Sequence, residues 1–231
     1  MTLSQSCRQE DQKRAAATRA VAEVEDGMVL GLGSGSTAAL AVEALAARIA
    51  KCLRVVVISS SGTTATLARQ LGVPLTSFAE HRRIDVTIDG ADQVERGTLN
   101  LVKRLGGAVL REKIVASASE RMTVVVDQTK MVDRLGRSTP LPVETVSFGW
   151  QTMLDRLSAF GCEPRLRLAR DKPFTTDGDN YIIDCAIEIP DPAALEARLS
   201  AIIGVVESGL FIGLASKIVV GGPTGVEVIK R

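Results

Sequence analysis

Residues 28–50 read MVLGLGSGSTAALAVEALAARIA. A short apolar run, Met28 to Leu32, meets Gly33-Ser34-Gly35-Ser36-Thr37, and an alanine-rich stretch of helical spacing follows. The order is strand, glycine-rich turn, helix. Working outward, the unit recurs. Arg54 to Ile58 breaks at Ser59-Ser60-Ser61-Gly62-Thr63-Thr64 before a helix to Leu71. Ile84 to Ile88 breaks at the acidic turn Asp89-Gly90-Ala91-Asp92, and Thr123 to Val126 ends in Asp127-Gln128-Thr129-Lys130. Upstream, Asp11 to Val24 has helical spacing and stops at Asp26-Gly27.

Strands alternating with helices at this interval predict an α/β fold, a Rossmann-like parallel sheet with helices on both faces. Ligands of such sheets bind beyond the carboxyl ends of the strands. The four small, polar turns are therefore expected to meet on one edge.

After Arg134 the pattern changes. Strands are expected from Leu141, over Glu163 to Leu168, over Tyr181 to Ile187 and over Val205 to Phe211, with helices at Trp150 to Phe160 and Pro192 to Ile203. This β-α-β-β-α-β order predicts a smaller ferredoxin-like α+β domain. We expect residues 136–207 to form it, and residues 1–135 with 208–231 to form the Rossmann-like domain. The tail from Lys217, two apolar runs around Gly221-Gly222-Pro223-Thr224-Gly225, is expected to return to the first.

A net charge of +1 gives no footing for a nucleic-acid or membrane surface. No apolar run approaches the ~18 residues of a membrane helix and no signal-peptide core opens the chain, so the expected location is cytoplasmic. Cys7, Cys52, Cys162 and Cys185 form no C-x-x-C pair and read as free, mostly buried thiols. His81 is the only histidine, which nearly excludes histidine metal sites and His-dependent triads. Acid–base work falls to carboxylates and lysines.

Several candidates have two readings. Gly33-Ser34-Gly35-Ser36-Thr37-Ala38 satisfies G-x-G-x-x-A, but the next strand ends in serines rather than the ribose-binding acid of a dinucleotide site. The turn suits a single phosphate, or is a strand-to-helix turn with a serine or threonine N-cap. Asp89 and Asp92 suit hydroxyl binding and proton transfer, or form an ordinary Asx turn; a magnesium site is a third reading, with no further acid placed to complete it. On a helical wheel Leu110, Ile114 and Ala118 make an apolar stripe nearly opposite Glu112, which makes Glu112 a solvated residue or one facing a cleft. Lys103 and Lys130 are equally open, and Lys13 alone is uninformative.

Taken together, GLGSGSTA (31–38), SSSGTTA (59–65), IDGAD (88–92), LVK-x-x-GGA-x-LREKIVA (101–116) and DQTKMVDRLG (127–136) resemble the ribose-5-phosphate isomerase A family. The resemblance extends to PLPVE (140–144), TDGDNYIID (176–184), GVVESGLF (204–211) and GPTGV (222–226). It implies interconversion of ribose 5-phosphate and ribulose 5-phosphate in the pentose phosphate pathway, with no metal or other cofactor. The partner it implies is a small sugar phosphate, and the assembly a homodimer or homotetramer. It places the catalytic base at Glu112, substrate-binding acids at Asp89 and Asp92 around Gly90 and Ala91, and a lysine beside the reacting oxygens at Lys103. Ser34, Gly35, Ser36 and Thr37 fall on a loop near the phosphate, and Lys13 and Lys130 on further substrate-contacting lysines. Arg104, Leu105 and Gly106 fall on the loop between lysine and base.

Two positions depart from the family. Arg104-Leu105 stand where glycines are usual, so the loop is expected to run differently and to bring an extra cation to the substrate. Gln93 stands where glutamate is usual, removing one charge beside Asp92. A non-catalytic sugar-phosphate sensor is the alternative function, and a CoA transferase with a glutamate nucleophile a third, by fold analogy only.

Overall fold

The computed structural model describes residues 3–103 and 106–231; Arg104 and Leu105, and with them the expected change in their loop, lie outside the described residues. Helix α1 (Leu3–Val21) leads into β1 (Val29–Leu32), α2 (Gly35–Ile49), β2 (Val56–Ser59), α3 (Gly62–Gln70) and β3 (Ile84–Gly90). Short strands β4 (Gln93–Glu95) and β5 (Leu101–Val102) precede α4 (Val109–Ser117), β6 (Ser119–Asp127) and β7 (Met131–Val132). Then come β8 (Leu141–Thr145), α5 (Gln151–Ser158), β9 (Glu163–Leu166), β10 (Leu168–Ala169), β11 (Lys172–Pro173) and β12 (Tyr181–Ala186). Helix α6 (Pro192–Ser200), β13 (Val205–Ser208), β14 (Leu210–Phe211), β15 (Lys217–Gly222) and β16 (Gly225–Lys230) complete the order.

The main sheet runs β16-β15-β6-β3-β1-β2, parallel throughout except for the antiparallel edge strand β16. Its strands are apolar on both sides because helices cover both faces. Alternation along β6 shows this: Val125 joins the core with α1 and α2, whereas Val124 and Val126 pack with Ala116 of α4. The tail does return to this sheet, as the hairpin β15–β16.

The second, smaller sheet runs β13-β8-β12-β9 with antiparallel pairing, the strand order of a ferredoxin-like unit. Leu141 and Val143 of β8 and Ile183 of β12 pack against Leu157 of α5 and Leu195 and Leu199 of α6. Asp191 caps α6 by accepting from Ala194 N at 3.0 Å, as the Asp-Pro start predicts.

Two expectations need correction. The run Val205–Phe211 is two strands in two sheets, broken at Gly209. A Cβ there would stand 2.4 Å from the Lys103 carbonyl oxygen and 2.6 Å from Pro142, so the chain needs glycine to turn in this gap. The third sheet this creates, β14-β5-β4-β7, has strands of two or three residues, too short to show a period. The thiols are free but not mostly buried: Cys162 and Cys185 are buried, Cys7 and Cys52 exposed. Among the described residues no helix is long and apolar enough to cross a membrane.

Candidate active site

Strands β6, β3 and β1 open on one edge of the main sheet, and a polar cleft lies there. It is lined by Lys13, Ser34, Gly35, Ser36, Thr37, Gly90, Ala91, Asp92, Lys103, Gly106, Glu112 and Lys130. Asp89 sits immediately beneath, 1% exposed. Every described residue singled out from the sequence is thus brought together. The expected fourth turn is not: Ser59–Thr64 stands behind the first, with Thr64 Oγ1 donating to Gly33 O at 2.9 Å. Nor is the acidic segment simply a turn, since Asp89 and Gly90 end β3.

Lys103 is the centre of the charge network. β5 delivers it, and its backbone N–H donates to Gly209 O at 2.9 Å. Its Nζ lies 2.7 Å from Asp89 Oδ2, donates to Gly90 O at 2.7 Å, and stands 3.5 Å from Glu112 Oε2. The Phe211 ring lies below it, 5.6 Å to the centroid. A buried ammonium is tolerated only with such partners. Burial opposes the charge on Lys103, but Asp89 and Glu112 outweigh it and raise its pKa above the usual lysine value. Burial also pushes the Asp89 carboxyl up to about 7, with Lys103 pulling it down and Glu112 adding to the rise. One ammonium serves two buried carboxylates, so a proton on Asp89 is held near neutral pH.

Glu112 is not the solvated residue that the wheel allowed. It is 4% exposed, whereas Ile114 of the supposed apolar stripe is 45% exposed. The buried side of α4 is instead Val109, Glu112, Val115 and Ala116, at i, i+3, i+6 and i+7, with Val115 and Ala116 packed on the main sheet. That spacing was the available signal. Ser34 Oγ donates to Glu112 Oε1 at 2.5 Å. Gly106 lies over this bond, where a Cβ would meet Ser34 Oγ at 1.9 Å.

The hydroxyl of Ser34 therefore makes no N-cap bond to α2, although Ser34 occupies the N-cap position. Helix α2 begins at Gly35, whose φ of +83° suits glycine. Its N-terminus points at the cleft beside Ser36 and Thr37, an arrangement suited to an anion. Lys13 of α1 and Lys130, on a 3-10 turn at Gln128–Lys130, bring two cations to this end. Asp127, which the sequence reading passed over, organises both. It is fully buried, accepts from Thr129 N at 3.0 Å, and its Oδ2 lies 3.8 Å from Lys13 Nζ. An acid closing the run Val124-Val125-Val126 was its signal.

The cleft thus has an anion end and, beside it, a carboxylate–ammonium–carboxylate cluster shielded from water. Such a pair of ends can hold a phosphorylated chain and move protons along it. Among the described residues no group of three or more His, Cys, Asp or Glu side chains could hold a metal ion.

Known proteins carry the same fold. Residues 56–225 match the family described as Ribose 5-phosphate isomerase A (phosphoriboisomerase A). The chain is 54% identical over 218 residues to ribose-5-phosphate isomerase A of Gloeobacter violaceus, covering 94% of this chain and 95% of that one. A solved ribose 5-phosphate isomerase A from Methanocaldococcus jannaschii superposes with a TM-score of 0.93 at 41% identity, over 96% of this chain and 99% of that one. A solved D-ribose-5-phosphate isomerase in complex with phospho-erythronic acid gives a TM-score of 0.93 at 36% identity, over the same shares. With matches of this identity along nearly its whole length, the chain belongs to the ribose 5-phosphate isomerase A family.

Proposed function

We propose that the protein interconverts D-ribose 5-phosphate and D-ribulose 5-phosphate, with Glu112 carrying the proton between C2 and C1. The observation that carries this reading is the placement of a water-shielded carboxylate, Glu112, 3.5 Å from a buried ammonium that also pairs with Asp89. In the forward direction Glu112 takes the C2 proton as the C1 carbonyl becomes an enediolate. It then returns the proton to C1 while a C2 carbonyl forms. Lys103 offsets the negative charge on the enediolate oxygens. Asp89, able to hold a proton near neutral pH, passes hydroxyl protons during ring opening and between O1 and O2.

Ser36, Thr37, Lys13 and Lys130 hold the phosphate, and Asp92 and the backbone at Gly90 and Ala91 hold sugar hydroxyls. Binding the remote phosphate fixes the reacting carbons against Glu112. The relative solved with phospho-erythronic acid supports this use of the cleft, since that ligand is a phosphorylated sugar acid.

The proposal includes residues 1–135 and 208–231 as the catalytic domain and 136–207 as the second domain. It also includes a cytoplasmic location and a homodimer or homotetramer, the last testable by sedimentation. The deciding experiment follows ketose formation from ribose 5-phosphate by the purified protein and by Glu112→Gln. Turnover by the wild type and a kcat lower by at least ~100-fold in the variant, with KM little changed, is the expected result. Near-normal turnover in the variant would remove Glu112 from the role. Because Lys103 supplies the electrostatic work, EDTA leaves the rate unchanged; inactivation reversed by added metal would overturn that assignment.

A further inference from the structure

The residues flanking Glu112 on α4 are held from the other side. Arg111 Nη1 lies 3.3 Å from Asp177 Oδ2, and Lys113 Nζ lies 2.9 Å from Glu196 and 2.7 Å from Glu207. The N–H of Leu110 donates to Glu144 Oε2 at 3.2 Å. All four acids belong to the antiparallel-sheet half of the molecule, so Glu112 faces the main sheet while its neighbours are gripped by the smaller one.

Glu144 stands apart among these acids. It lies on β8 and is 1% exposed, whereas the Arg111–Asp177 pair is roughly half in solvent and weakened by it. Ala108 occupies the N-cap of α4 and has no side chain able to cap it. Glu144 supplies an acceptor there, 34 residues further along the chain. Its other oxygen, Oε1, accepts from Thr176 Oγ1 at 2.9 Å and Asn180 Nδ2 at 3.0 Å. Thr176 Oγ1 in turn accepts from the backbone N–H groups of Gly178 and Asn180, which leaves its proton for Glu144. The turn 176–180, which leads into β12, is the base of this network.

We infer that Glu144 is the positioning residue of Glu112: through Leu110 it fixes the first turn of α4, so that the Glu112 carboxylate meets Ser34 and Lys103. This rests on the reading of Glu112 as the proton carrier. Glu112 is two residues beyond Leu110 in that same turn, and its contacts of 2.5 Å to Ser34 and 3.5 Å to Lys103 leave little tolerance for rotation. Displacements of about 1 Å at a reacting group are enough to lower rates ~100-fold.

Glu144→Gln tests this with almost no change in shape. An amide cannot satisfy the site. With its oxygen toward Thr176 and Asn180, its NH2 opposes the Leu110 N–H; flipped, the NH2 opposes the Thr176 hydroxyl and meets an acceptor only where the Asn180 amide also turns. The expected result is a kcat lower by at least about tenfold with KM within about threefold, because the phosphate end shares none of these bonds. Adding Asn180→Asp, which supplies an acceptor for the introduced amide and frees its oxygen for Leu110, should recover at least about threefold in kcat. A folded Glu144→Gln variant with kcat within about twofold of wild type, a rise in KM without loss of kcat, or no recovery on adding Asn180→Asp would each overturn the proposal. If Glu144→Gln fails to fold, Thr176→Val removes one donor, and a kcat drop of about threefold or more against none decides on the same terms. Retained turnover in Glu112→Gln would sink the underlying reading; an inactive Glu112→Gln beside a fully active Glu144→Gln would sink only the positioning role.

Discussion

Ser34 and Glu112, 78 residues apart, share a hydrogen bond of 2.5 Å across the mouth of the cleft. The hydroxyl comes from the turn after β1 and the carboxylate from the first turn of α4, so one bond joins two elements of the site. A donor on one oxygen and Lys103 beyond the other hold the carboxylate plane in a single orientation. Hydrogen bonds to charged groups contribute roughly 1.5–3 kcal/mol, and if most of that is expressed in the proton-transfer step, Ser34→Ala lowers kcat about 10- to 100-fold. Steady-state kinetics on ribose 5-phosphate measure it. A kcat unchanged within about twofold would mean that Lys103 and the helix alone orient Glu112.

Asp89 links the same cluster to pH. Its folded pKa of about 7 lies above the ordinary 3.8, so its protonation favours the folded state. That contribution is fully present below the unfolded value and is lost as pH rises through about 7. Asn at this position cannot titrate. The melting temperature of the wild type relative to Asp89→Asn is therefore expected to fall as pH rises from 4 to 8, most steeply between the unfolded 3.8 and the folded value of about 7, and to level off above it. Parallel melting curves across that range would show that Asp89 stays ionised beside Lys103 throughout.

Lys103→Met keeps most of the side-chain volume and removes the charge. Asp89 and Glu112, 1% and 4% exposed, are then left buried without their cation. Removing one partner of a buried ion pair destabilises by roughly 3–5 kcal/mol, which urea denaturation would read as a lower midpoint with an unchanged slope. Activity is expected to fall with it. Lys103→Arg should not rescue, since the carbonyl and two carboxylates converge on a single buried nitrogen, whereas a longer guanidinium spreads its donors over a planar fork. A stable, active Lys103→Arg would show that any cation suffices.

The parallel sheet was legible because its strands are β-branched runs that end in small polar residues, and the residues of three of those ends do meet. What lay hidden is whatever depends on partners distant in the chain. Glu112 looked solvated because Leu110, Ile114 and Ala118 suggested the wrong buried face. Helix α4 lies between the main sheet and the smaller antiparallel one, and it buries Val109, Val115 and Ala116 together with the Glu112 carboxylate. Lys103 looked like any surface lysine, because nothing local shows that Gly90, Asp89 and Phe211 enclose it. Strands β4, β5, β7 and β14 leave no periodic trace, yet they bring Lys103 into place. Family resemblance supplied the roles of these residues; the sequence around each did not.

Gly106 sits where α4 is entered, and its absence of a side chain is a steric requirement. A Cβ would stand 1.9 Å from Ser34 Oγ and 3.1 Å from Ser34 Cβ, the first too close for any real contact. Gly106→Ala is therefore expected to push the Ser34 hydroxyl off Glu112 and lower kcat about tenfold or more while leaving the fold intact. The two positions act on one bond, so their effects should not add. In a Ser34→Ala background the clashing hydroxyl is gone and only the 3.1 Å approach remains, so Gly106→Ala should lower kcat much less there than in the wild type. A double-mutant cycle on kcat measures the difference. Full additivity would show that Gly106 serves the loop's backbone rather than the Ser34–Glu112 bond.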